Sequence, residues 1–437
     1  MVATLLSIMV VLLLLNFPMM IPLMAAPVIV LLLFFPAISP DLVIQQLKTG
    51  IEPEVLLAVP LFIFAADIMT TGKTANRLLD FIGAFVGHIR GGYAVTTAAA
   101  CTLFGAISGS TQATVVAIGK PMRERLLKVG YKDPSAIALI INSSDVALLV
   151  PPSIGMIIYA LVAPGTSVGE LFLAGIIPGV LVFLCFATYS FFYAKIKNIP
   201  LADRASWKNR LKFTWKALLP LGFPVIIVGG IYTGYFTPTE AAGVSVLYAL
   251  ILEVLIFRSV HIKELPKISM STGLVTSAVF VLVAGGQLFT WVISFARVPQ
   301  MLTESVLGTD PSAIYVLIIV SLFFFVGCMF VDPIVVILIL TPIFYPAAMD
   351  AGIDPIHLGI IVTFQAALGS ATPPFGVDIF TASAVFNKSY LDVIRGTPPF
   401  IIMLFAISIL LIAFEEISLA YLYFDDIYNY IVNFLKI

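Results

Sequence analysis

Residues 148–160 read LLVPPSIGMIIYA, and the adjacent prolines Pro151 and Pro152 break an otherwise continuous apolar run. Proline donates no backbone hydrogen bond, and its ring clashes with the carbonyl one turn back. Inside hydrocarbon, the carbonyls freed around Ala147 to Val150 are costly unless something satisfies them. Fold and function both turn on what sits against this break.

The setting is a membrane. Hydrophobic residues make up 60% of the 437 and charged residues only 11%, with a mean hydropathy of +1.10. A water-soluble chain of this length cannot hide that much apolar surface. The formal net charge of −1 leaves no basic footprint for nucleic acid. Cys101, Cys185 and Cys328 stand apart in apolar runs and form neither a disulfide framework nor a metal spacing. His88, His261 and His357 are equally scattered and no HExxH occurs, so an enzyme is not expected. The opening MVATLLSIMVVLLLLNF has no early Lys or Arg and no small-residue cleavage site, and reads as a retained membrane segment. Long, unalternating apolar runs argue against a transmembrane barrel. The expected class is an all-α polytopic membrane protein.

Two apolar segments, 92–119 and 312–347, are too long for one span of about 20 residues, and each is interrupted near its centre. In the first, residues 93–104 form one limb, GAISGSTQA (105–113) interrupts, and 114–122 follow. Each limb is about half a membrane thick, which predicts re-entrant hairpins at 92–122 and 312–347. A repeat then appears. Gly105 opens the first interruption and Gly327 the second, in GCMFVDPIV, so 327 − 105 = 222. The proline pair Pro373–Pro374 lies at the same offset, 373 − 151 = 222. The chain thus divides into a first repeat at 1–194, with a Pro-Pro-broken helix at 134–163, and a second at 217–437, with a broken helix at 356–385.

The basic linker 195–216 joins them, with seven Lys or Arg against Asp203 alone. KPMRERLLKVGYK (120–132) carries five more, and the positive-inside rule puts both in the cytoplasm. The tail, with Glu415, Glu416, Asp425 and Asp426 against Lys436, suits the outside. An inside linker and an outside tail give the second half an odd number of crossings. Two related halves of that kind have inverted topology, the architecture of many secondary transporters.

A broken helix facing a Gly/Ser-rich hairpin tip has two readings. The prolines kink packed helices, or freed carbonyls and the tip SGST (108–111) supply oxygens to a cation such as Na⁺. The shared offset favours sites, one in each repeat. Ionisable residues at membrane depth are functional candidates. Arg297, in WVISFARVPQ, either snorkels to the interface or offers a planar fork to a substrate carboxylate. Asp332, beside Pro333, ligates a cation, contacts substrate or caps the next half-helix. Ser110, Asn142 and Asp145 are candidate pocket-lining groups. Glu240, after TPT (237–239), reads as an N-terminal helix charge.

At GGIYTGYFTPTEAAGV (229–244), FGAISGSTQAT (104–114), LVPPSIGMIIY (149–159), VGCMFVDPIVVILILTPI (326–343) and TPPFG (372–376), the chain resembles the large membrane subunit of TRAP (tripartite ATP-independent periplasmic) transporters. The resemblance runs over essentially the whole length. It implies a scaffold plus an elevator-type transport domain in the bacterial inner membrane, two or more coupled Na⁺ ions, a small membrane subunit and a periplasmic substrate-binding protein. The expected function is import of a small carboxylate, sialic acid or a C4-dicarboxylate; the alternative is a free-standing Na⁺/carboxylate symporter. Carried over from the family, one Na⁺ site uses Gly105, Ser108, Ala147, Val150 and Pro151. The other uses Gly327, Gly369, Thr372 and Phe375, and substrate contacts fall to Arg297 and Asp332. The chain departs from the family's usual pattern at Ala147, Asp145 and Asp378.

Overall fold

The structure, a computed structural model, describes residues 1–15, 17–201, 203–308 and 311–422. The tail acids Asp425 and Asp426, with Lys436, lie outside these. Every regular element among the described residues is helical. Seven of those helices are long and apolar enough to cross a membrane, among them Val168–Ile196, Trp207–Tyr232 and Pro333–Asp350. Side chains such as Leu14, Trp215, Val225 and Leu274 point outward from the protein, where hydrocarbon solvates them.

The 222-residue offset runs through the helix boundaries. The limbs Gly92–Ser108 and Thr111–Lys128 recur as Ala313–Phe330 and Pro333–Asp350. Asp133–Ser144, continued by a tight turn at Asp145–Leu148, recurs as Pro355–Ser370, and Ile154–Val162 recurs as Val377–Phe386. The copies also diverge. Pro40–Ile51 and Ala58–Thr71 are separate helices in the first half, whereas the second fuses their counterparts into Leu265–Phe295. Pro53 marks the break: it has no N–H to continue the helical ladder, and the chain turns extended at it (ψ 127°).

Both broken helices are the innermost elements. Every residue from Ala136 to Ser144 and from Ile356 to Ser370 is buried, so these helices are enclosed on all sides rather than amphipathic.

The first hairpin is more regular than its sequence suggests. Its first limb continues through Ser108, and only Gly109 and Ser110 lie outside the two helices. Gly109 adopts the left-handed conformation (φ +60°), and its N–H returns to the Gly105 carbonyl at 2.8 Å. Ser108 stays helical because its hydroxyl bonds within the tip, to the Ser110 carbonyl (3.2 Å) and the Thr114 hydroxyl (3.1 Å). The basic linker is shorter than 195–216: Ser206 accepts the Asn209 N–H at 3.3 Å and starts the helix Trp207–Tyr232, so 207–216 are already helical.

Candidate functional site

A helix that begins inside the protein leaves N–H groups that water does not reach, so its first turn needs side-chain acceptors. The tips and breaks supply them. Ser110 accepts from Ala113 N–H (3.4 Å), Ser153 from Met156 N–H (3.3 Å) and Asp332 from Ile334 N–H (2.9 Å). Asp332 is therefore a helix cap, whatever else it does. Glu240 closes a capping box, accepting the Thr237 N–H (2.8 Å) while Thr237 accepts the Glu240 N–H (3.2 Å). GTSVG at 165–169 has the spacing of a hydrolase nucleophile elbow, yet Ser167 is another cap, accepting the Glu170 N–H at 3.3 Å.

The structure brings the first hairpin tip onto the first break. A Cβ built on Gly105 would lie 2.8 Å from Ala147 Cα and 3.2 Å from its backbone nitrogen. At the tip, the Gly109 carbonyl accepts the Ile154 N–H at 3.4 Å. Pro151 and Pro152 remove the helical donors to the Ala147 and Leu148 carbonyls. Leu148 recovers one, from the Ser153 hydroxyl at 2.7 Å. Not all of Ala147–Val150 is therefore left free.

The second repeat reproduces the arrangement with a closer approach. A Cβ on Gly369, the counterpart of Ala147, would lie 2.5 Å from Cys328 Cβ and 2.8 Å from the Phe325 carbonyl. That crowding accounts for glycine at 369. Thr372 donates its N–H to the Gly369 carbonyl (3.1 Å) and its hydroxyl to Leu368 (2.6 Å). Phe375 meets Phe330 of the hairpin tip, ring centroids 5.7 Å apart. The Gly105 and Gly327 carbonyls each accept one tip N–H, from Gly109 (2.8 Å) and Val331 (2.9 Å), and each retains a second lone pair.

Between the two breaks lies a cluster that sequence spacing could not reveal. Asp145 and Asp378, 2% and 0% exposed, face each other with Ser370 beside both. Thr111, in the first hairpin tip, donates its hydroxyl to Asp378 at 2.8 Å. Asn142 Oδ1 and Ser143 Oγ are buried without hydrogen-bond partners, while the Asp145 carboxyl meets Asp378 and Ser370. Such a set of buried oxygens suits a hard cation, which takes oxygen ligands. Thr111, from the tip SGST expected to supply oxygens, thus joins Ser370 and Asp378 in one neighbourhood. Arg297 stands apart: it is exposed, in the left-handed conformation (φ +52°), at the turn after Leu265–Phe295.

An ion-pair clasp closes the basic end. Arg123 grips Asp133 with two bonds (2.6 and 2.7 Å), and Lys388 approaches it at 2.9 Å. Thus the second limb of the first hairpin, the start of the first broken helix and the segment after the second are joined. The Arg123 guanidinium holds the Asp133 carboxyl below the usual carboxylate range.

With this geometry in view, comparison with known proteins settles the family. The model of the tripartite ATP-independent periplasmic transporter DctM component matches residues 6–417. The chain belongs to the DctM family. Its relatives are transporter permeases rather than enzymes, and the family is one component of a tripartite assembly with a small membrane subunit and a periplasmic binding protein. The chain is 56% identical over 420 residues to the ectoine/5-hydroxyectoine TRAP transporter large permease protein UehC of Ruegeria pomeroyi, covering 96% of this chain and 98% of that one. To the ectoine permease TeaC of Halomonas elongata it is 57% identical over 412 residues, 94% and 96% of the two chains. To the C4-dicarboxylate permease DctM of Pseudomonas aeruginosa it is 39% identical, 87% and 90% covered. The crystal structure of the Alcanivorax borkumensis YdaH transporter shares the fold, with TM-score 0.60 at 15% identity over 85% and 86% of the chains.

Proposed function

We propose that this chain is the large permease of a Na⁺-coupled importer for ectoine or a close analogue, delivered by a periplasmic binding protein. The observation that carries the substrate is the identity of 56% and 57%, over nearly whole chains, to two ectoine permeases, against 39% to a C4-dicarboxylate permease. Ectoine is a small ring bearing a carboxylate and a delocalised amidinium cation. It thus keeps the expected carboxylate but replaces sialic acid and C4-dicarboxylates as the preferred cargo.

Na⁺ coupling is supported by the matched tip-and-break pairs. Gly105, Ser108, Ala147, Val150 and Pro151 would hold one ion, and Gly327, Gly369, Thr372 and Phe375 another, mainly through carbonyl oxygens. A bound cation supplies charge that compensates freed carbonyls at membrane depth. The chain's own part is to hold tip and break together, so that ion binding favours one arrangement of the hairpins. Ser110, Asn142, Asp145 and Asp332 line the same region and are the proposed substrate-side groups; Arg297 reaches it only if the transport domain moves, as an elevator motion would require. The repeat at offset 222 supports inverted halves, and the basic loops support their cytoplasmic placement.

Competition tests the substrate. Proteoliposomes holding both membrane subunits, with the binding protein and Na⁺ outside, are given labelled ectoine and an excess of unlabelled ectoine, succinate or sialic acid. Suppression by ectoine alone is expected. Uptake of labelled succinate or sialic acid, with none of ectoine, would overturn the substrate.

A further inference from the structure

A cavity of about 190 Å³ opens away from the tips, at the basic end of the molecule. Tyr131, Ser135, Tyr189, Tyr193, Arg395 and Phe400 line it. The volume equals the share of about six waters, enough for one small solute. Tyr131 and Tyr193 stack at 5.8 Å with an interplanar angle of 14°, and Tyr189 meets Phe400 edge-on at 5.1 Å. Ser135 and Tyr193 share a hydroxyl hydrogen bond of 3.1 Å. The Tyr131 hydroxyl, on a side chain only 6% exposed, has no partner. Buried polar groups are almost always hydrogen-bonded, so an orphaned phenol on a cavity wall calls for an acceptor from a ligand. Arg395, exposed at the rim, supplies a second donor that suits a carboxylate. The aromatic walls suit a delocalised cation.

The fold does not demand this set. The counterparts of Tyr131, Ser135, Tyr189 and Tyr193 in the other repeat, 222 residues on, are Ile353, His357, Leu411 and Glu415. An element common to both repeats would be packed alike in both. The wall also adjoins the basic stretch 120–132 and the residues Lys195 and Lys197, which places it at the end where imported solute is released.

We propose that this cavity is a release-side binding site for a small zwitterion, through which accumulated cargo slows further import. The proposal rests on the ectoine reading above and adds a second, inhibitory site of the same chemical class. Its Tyr131 hydroxyl and Arg395 hold the carboxylate, and its tyrosine and phenylalanine rings face the amidinium.

The test measures initial uptake of labelled ectoine into vesicles that are empty or preloaded with graded ectoine. Binding protein is present outside, so that only correctly oriented transporters work. Internal ectoine is expected to slow the wild type. Tyr131→Phe and Arg395→Gln should each raise the half-inhibitory internal concentration by about tenfold, the loss expected for one hydrogen bond to a charged group, and leave uptake into empty vesicles unchanged. Two variants guard against one failing to assemble. Wild-type uptake without internal inhibition, or inhibition unaltered in both variants, overturns this site and leaves the import function standing. Absence of ectoine uptake by the wild type into empty vesicles overturns both.

Discussion

Gly105→Ala is the most telling perturbation of the tip-and-break contact. The added Cβ would sit 2.8 Å from Ala147 Cα, whereas ordinary contact begins at 3.4 Å. Tip and break must therefore separate by about 3.4 − 2.8 = 0.6 Å. The atoms met are the Ala147 backbone and its Cβ (2.9 Å), so no flexible side chain can yield instead. Overpacking of this kind costs about 1–3 kcal/mol. If that strain falls on the ion-bound arrangement, the half-saturating Na⁺ concentration rises about 5- to 150-fold. The assay is ectoine uptake against external Na⁺ in proteoliposomes containing the whole assembly. Gly273→Ala is the control, since a Cβ there meets nothing within 4 Å. A Gly105→Ala transporter that assembles normally and keeps its half-saturating Na⁺ within about twofold of wild type would refute the reasoning.

Three further outcomes are expected. Asp378→Leu orphans the Thr111 hydroxyl, now bonded at 2.8 Å, and should cost about 1–3 kcal/mol in detergent melting, whereas Asp378→Asn keeps an acceptor and should cost less; equal losses would contradict this account of the cluster. Glu253, fully buried, accepts the Lys73 and Thr74 N–H groups (both 3.1 Å), the Thr74 hydroxyl (2.6 Å) and the Ser259 hydroxyl, so it caps Thr74–Val86 from another helix. Glu253→Ala should destabilise by at least about 2 kcal/mol, and an unchanged melt would show the cap to be idle. Because Asp133 is held below its ordinary value, its contribution is present above the unfolded pKa of about 3.9 and is lost as pH falls through the folded value. The melting difference between wild type and Asp133→Asn should be flat from neutral pH to about pH 5 and shrink below it; a difference that grows with acid would reverse the sign.

The breaks and paired limbs were legible because their signals are local, Pro-Pro and Gly-Ser. The limbs are longer than the half-membrane pieces expected: Ala313–Phe330 and Pro333–Asp350 have 18 residues each and are long enough to cross. The offset read from Gly105, Gly327 and two proline pairs carries through to helix ends such as Lys128 and Asp350. Boundaries were less legible. Ser108 was placed in the interruption yet is helical, since nothing local shows that its hydroxyl bonds back into its own tip. The Asp145–Asp378 approach was illegible for a different reason. The two residues are 378 − 145 = 233 apart, off the repeat offset, and meet only because the two breaks pack together. For Arg297 the sequence leaves snorkelling and a substrate fork both open, and the structure places it exposed at the turn after Leu265–Phe295. Cargo lay beyond single-sequence reasoning, because a carboxylate-binding site suits succinate, sialic acid and ectoine alike.

The central claim, a Na⁺-driven importer fed by a binding protein, is tested most directly by a four-way uptake measurement. Labelled ectoine is offered to proteoliposomes with and without an inward Na⁺ gradient, each with and without the binding protein outside. The account predicts accumulation only when both are present. Accumulation without the binding protein would point to a free-standing symporter, and accumulation without Na⁺ would contradict the role given to the tips and breaks.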